Sequence, residues 1–219
     1  MIEQAIFTSL PRAGRSGYHL VSRSPGIDDN DAHALAAWCP SHGALLAGAS
    51  NPFSLNFHPI REGRFALSRT CEGPPEYSGR GGAQVYTHAL ILGPEELEAA
   101  DWQPFALLRD AMARGLLRFR RDPPASLPAA RLGRAFRPRS SIDRSRLASA
   151  CPADTLEAWC EALMAGRSVK VRYEGDRATL FEALFGILPA TLLPAISFTT
   201  ALRPSAVRPF RIGPAEPAP

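Results

Sequence analysis

A chain of 219 residues with 45% apolar and 21% charged side chains can bury one sizeable core or two small ones, and is too apolar to stay wholly disordered. No apolar run reaches the roughly 20 residues of a membrane span. The net charge of +4 is concentrated in residues 116–148, which hold nine arginines against two aspartates, whereas residues 1–115 are mildly acidic and 149–219 neutral.

Further exclusions follow from composition. Lys170 is the only lysine, so arginine enrichment reflects the composition of the whole chain and is poor evidence for nucleic-acid binding. The start Met1-Ile2-Glu3-Gln4 has neither a basic nor an apolar leader segment, so a cytoplasmic location is expected. Cys39, Cys71, Cys151 and Cys160 form no C-x-x-C pair and match no zinc spacing, so they are read as reduced, buried thiols.

In chain order, Gln4 to Leu10 reads as a strand ending at Pro11, and Tyr18 to Ser24 as a second, stopped by Pro25-Gly26. Asp28 or Asp29 caps a helix whose Ala32, Leu35, Ala36 and Cys39 share one face. Phe53 to Ile60 and Phe65 to Thr70 form a hairpin around Gly63, followed by a loop from Glu72 to Gly82. Gln84 to Leu92 is apolar on both faces, which predicts a central strand. Asp101 is placed as the cap of a helix containing Phe105, Leu108 and Met112, with Gly115 past its end.

Residues 120–143, rich in proline and arginine, are expected to form a stiff, solvated connector. Beyond it, Asp154 and Glu157 resemble a capping box before the stripe Leu156, Trp159, Cys160 and Leu163. Ser168 to Tyr173, a helix through Leu180, Leu184 and Ile187, and Ile196 to Thr200 follow as strand, helix and strand, the order of a βαβ crossover. The expected fold class is α+β. A first lobe (1–119) has a mixed, mainly antiparallel sheet with two helices; the connector (120–143) leads to a small helix-strand-helix-strand lobe (144–212) and a disordered tail (213–219).

No complete catalytic or cofactor motif is present, so no cofactor is expected. His19, His58 and His88 fall on predicted strands of one lobe, where a shared sheet would bring imidazoles together as a base or metal site; no His-x-His or His-x-x-His spacing supports a metal pair. The loop Glu76-Tyr77-Ser78-Gly79-Arg80-Gly81-Gly82 offers backbone N–H groups and a guanidinium to an anion or partner, but fits neither G-x-G-x-x-G nor the P-loop pattern. An enzyme or ligand sensor built on His58, His88, Tyr77 and Arg80 is one alternative reading. Nucleic-acid contact through Arg131, Arg134, Arg137 and Arg139 is another, with only Phe119 and Phe136 interleaved for stacking. Ser197-Phe198-Thr199-Thr200 is not followed by the Glu-x-Glu or Gln-x-Glu that an ADP-ribosyltransferase needs.

Several stretches together resemble the N-terminal and middle regions of bacterial GTPase-associated adaptor proteins. Gln4-Ala5-Ile6-Phe7-Thr8, Gly17-Tyr18-His19-Leu20-Val21-Ser22-Arg23-Ser24-Pro25-Gly26-Ile27, Leu55-Asn56-Phe57-His58, Tyr77 to Gly82 and Val85-Tyr86-Thr87-His88 carry the N-terminal resemblance. The second lobe, ending in Ser197-Phe198-Thr199-Thr200, carries the other. The resemblance implies a non-enzymatic scaffold that works with a GTPase partner in a bacterial conflict or signalling system, and no catalytic residue.

Overall fold

Period-2 alternation of apolar residues builds most of the sheet. The computed structural model describes residues 1–12, 14–46, 52–75, 82–133, 151–173 and 175–216. The chain runs β1 (Glu3–Ser9), β2 (Tyr18–Arg23), α1 (Asp29–Trp38), β3 (Phe53–Arg61), β4 (Arg64–Pro75), β5 (Ala83–Leu92), α2 (Pro94–Glu98) and α3 (Pro104–Ala113). It continues with α4 (Ala153–Met164), β6 (Val169–Val171), α5 (Arg177–Ile187), β7 (Phe198–Thr199) and β8 (Ile212–Pro214). The described strands form one mixed sheet in the order β2-β1-β5-β4-β3-β7-β8-β6. A sheet with segregated helices is the α+β architecture expected.

The first five strands pair antiparallel. β5 is central, between β1 and β4, and every residue from Gln84 to Leu92 is buried. The β3–β4 hairpin pairs Arg61 with Arg64 around Glu62-Gly63, and Gly63 takes the positive φ of 68° that so tight a turn requires. On one face Leu55, Phe57, Phe65, Leu67, Leu90 and Leu92 pack with Phe105 and Leu108 of α3 and Phe181 and Phe185 of α5. On the other, Ala5, Phe7, Ala66, Ala89 and Ile91 pack with Leu35 of α1 and the adjoining Cys39.

α1 is anchored by charge. Asp28 caps it, accepting a hydrogen bond from the Asp31 amide at 2.7 Å. The fully buried Asp31 carboxylate is paired with Arg61 at 2.6 Å and Arg64 at 2.7 Å, so the ends of the hairpin strands neutralise the helix's buried charge.

β7 joins the second half of the chain to the first. It pairs antiparallel with Asn56 and Phe57 of β3. Phe198 is fully buried, with ring centroids 4.6 Å from Phe105, 5.5 Å from Phe185 and 6.1 Å from Phe57. One aromatic core therefore draws on residues from both halves.

The structure departs from expectation at several points, each where a distant partner outweighs a local signal. β6 and β7 are parallel as a βαβ crossover requires, but β8 lies between them. Gly213 and Pro214, expected to open a disordered tail, are thus buried strand residues. A Cβ on Gly213 would meet Thr199 Cγ2 at 3.3 Å, so glycine suits the close approach to β7. β4 extends to Pro75, beyond the expected Thr70, because β5 supplies a partner through Ala83.

Helix starts also differ. Asp101 and Trp102 have φ of 50° and 55° and lie in a turn after α2, leaving Gln103 as the cap of α3. Asp154 lies inside α4, which starts after Pro152. Finally, residues 120–133 of the expected solvated connector are tied to the sheet. Ile2 and Ala130 exchange two backbone hydrogen bonds, the Leu127 amide donates to Arg23 O, and Ser22 Oγ donates to Pro124 O. Leu127 is buried against Ile6, Val21 and Tyr86.

Candidate functional site

The three strand histidines do not converge. His58 on β3 faces α1, stacked on Trp38 at 4.4 Å and edge-on to Phe210 at 5.8 Å, with Nδ1 3.1 Å from Pro59 O. Burial pushes its pKa down to about 4. His88 on β5 alternates with Ala89 and so lies on the opposite face. Its Nε2 is 3.0 Å from Gln4 Oε1. Gln4 Nε2 donates to Pro128 O at 2.7 Å, which fixes the Gln4 oxygen as acceptor and places the His88 proton on Nε2. Burial, with the like charges of Arg120 and Arg118, holds His88 down to about 4, against the raising effect of the Arg118 backbone. Both imidazoles are neutral near pH 7 and are enclosed in separate parts of the core.

His19 is the member of the trio at the surface. It lies on β2 with Nδ1 2.9 Å from Gly17 O. Tyr77, Ser78 and Arg80 lie outside the described residues, as do Arg134, Arg137 and Arg139. Arg131 is exposed and directs Nε to Met1 Sδ at 3.4 Å.

His19 lines a groove of about 520 Å³. Its floor is β2 from Tyr18 to Arg23; Ala32, His33 and Ala36 of α1 form one wall and Ala125 contributes to another. Arg15 and Asp29 also line it. Asp29 is engaged by Arg23 at 2.8 Å, whereas Arg15 has no ion pair among the described residues. β2 is the terminal strand of the sheet, so the groove follows a sheet edge.

A second feature escaped the sequence reading. Ser54, Asn56, Ser68, Thr70, Thr87 and Thr199 are all buried, on β3, β4, β5 and β7. Asn56 Nδ2 donates to Ser68 Oγ and Thr70 Oγ1, each at 3.1 Å, while Asn56 Oδ1 accepts from Ser54 at 2.8 Å and Thr199 at 2.7 Å. Thr70 and Thr87 are 2.9 Å apart. Ser54 Oγ accepts from the Ala201 amide, and Thr200 Oγ1 accepts from the Leu55 amide, each at 2.9 Å. This network binds β7 to β3 by side chains as well as backbone. The signal in the sequence was period-2 hydroxyl residues on strands, legible only once the pairing is known. Among the described residues no group of three or more His, Cys, Asp and Glu side chains forms a metal site. No helix among them is long and apolar enough to cross a membrane.

The family described as GTPase-associated protein 1, N-terminal domain type 2, matches residues 1–131. The chain belongs to this family. The GTPase-associated N-terminal domain thus takes in β1 to α3 and the segment through Arg131 that is stitched to β1 and β2. The groove along β2 lies wholly inside it, and β6, β7 and β8 lie outside. The family's description links this domain to a GTPase. No curated protein matches the chain.

Proposed function

We propose that this protein is a non-enzymatic adaptor that holds a GTPase partner in a bacterial conflict or signalling system, acting in the cytoplasm. The observation that carries this reading is the family match over residues 1–131. The placement of the histidines supports it: an enzyme or sensor of the first half would bring His58 and His88 into one pocket, and they lie on opposite sheet faces. Tyr77, Ser78 and Arg80 are assigned to a partner-contacting loop.

In this reading the arginines of residues 116–148, Arg131, Arg134, Arg137 and Arg139 among them, serve an acidic protein surface in preference to nucleic acid. β6, β7 and β8, beyond the matched residues, complete the sheet at its far end. The test is purification of the tagged full-length chain from its native host, with mass spectrometry of what accompanies it. A GTPase enriched over a tag-only control is the expected result; a preparation with no GTPase would refute the adaptor role.

A further inference from the structure

We propose that the groove along β2 is the dock itself, and that its occupant is an extended, acidic segment of the GTPase partner, added to the sheet edge as a further strand. The proposal rests on the adaptor reading and specifies where and how the partner binds.

The geometry supplies the first reason. β2 is the terminal strand of the sheet formed by the described residues. Alternate backbone groups of an edge strand face outward and are a template for another chain. Sheets that leave an edge open usually blunt it with charge or proline. Tyr18-His19-Leu20-Val21-Ser22 contains neither lysine, arginine nor proline. The blunting devices act at its other half: Arg12 Nη1 donates to Val21 O at 2.7 Å, the strand ends in Arg23, and its pairing with β1 is broken by a bulge at Ile6/Phe7.

The protein already uses this edge once. At its Arg23 end, Ser126 bridges in parallel and the Leu127 amide donates to Arg23 O at 3.2 Å. The family-matched segment therefore shows that a backbone can lie alongside β2, and the groove continues that path towards Tyr18. Ala32, Ala36 and Ala125 contribute small side chains to its lining, beside the larger Phe7, Arg15 and His33. A volume of about 520 Å³ is ample for a short extended segment.

Charge selects the segment. Arg23 and Asp29 satisfy each other at 2.8 Å, which leaves Arg15 as the charged lining residue with no ion pair among the described residues. An acidic side chain beside the added strand would pair with Arg15 as it enters. Main-chain hydrogen bonds would supply affinity and this pair the orientation.

The experiment compares captured GTPase, identified by mass spectrometry, for four tagged full-length chains in the native host. Ala125→Trp fills the slot from an exposed position, and Arg15→Glu reverses its charge. Val207→Trp, at a residue 70% exposed and outside the groove, is the control. Both groove variants are expected to capture at least about fivefold less GTPase than wild type, with unchanged unfolding temperatures, and the control the same amount as wild type. Equal capture by all four chains overturns the docking assignment and leaves the adaptor reading intact. Failure of the wild-type chain to capture any GTPase overturns the adaptor reading and this proposal with it.

Discussion

At one end of the sheet the six-residue β2 borders a groove of about 520 Å³, while at the other β6 has three residues, with Val169 and Val171 buried and Lys170 exposed. A very short strand carrying a lysine is a common way to close a sheet edge. β2 is longer, is apolar at Leu20 and Val21 with its one charge at the Arg23 end, and lies within the family-matched residues. The β6 end is built from three short strands outside that match and is held by aromatic packing and buried hydroxyl groups. The difference separates a presenting end from a supporting end on one continuous sheet.

The largest test of that division is Phe198→Ala. Phe198 lies where β7 meets the core shared by both halves, and its truncation is expected to cost about 3–5 kcal/mol. Urea unfolding of the variant is expected to remain one transition at lower midpoint. Separate transitions for the two halves would show that the supporting end is an independent unit.

Acid comes next. His58 and His88 have folded pKa values near 4, against about 6.5 when unfolded. Between these values the unfolded chain binds protons that the fold refuses. The stabilising contribution is complete above pH 6.5 and is lost as pH falls towards 4, by up to about 3 kcal/mol per histidine. His58→Phe keeps a ring against Trp38 and removes one proton site, so its stability is expected to fall less steeply over this range. An unchanged slope would show that His58 is protonated in the fold.

A smaller effect is expected at Asn56, whose amide serves four hydroxyl groups. Asn56→Leu leaves buried partners unmet and is expected to cost roughly 1–3 kcal/mol, measured by denaturant unfolding. The smallest belongs to the presenting end. Arg23→Ala removes a surface ion pair with the exposed Asp29 and is expected to change stability by less than about 1 kcal/mol. A larger loss would mean that the β2 edge is itself a structural keystone.

Local pattern revealed much of the presenting end and less of the supporting end. The alternation of Gln84 to Leu92 announced a central strand, and the pair Asp28-Asp29 announced the start of α1, because both signals are carried by neighbours in sequence. β8 could not be read in the same way. Ile212-Gly213-Pro214 has no periodicity of its own and becomes a strand only between β6 and β7. Residues 120–133 looked solvated from their arginines, yet Leu127 and Ala130 anchor them to β1 and β2. His19 was legible as a strand residue, but the groove beside it depends on α1 and Ala125 arriving from elsewhere in the chain. Two histidines on strands of one sheet suggested convergence, and the parity of their positions on paired strands puts them on opposite faces.

The most direct measurement is hydrogen exchange of the full-length chain, alone and in complex with the GTPase that co-purifies with it. The account predicts that amides between Tyr18 and Val21 exchange at least about tenfold more slowly in the complex, while those of Val169 to Val171 are unchanged. Protection at β6 with none at β2 would contradict it.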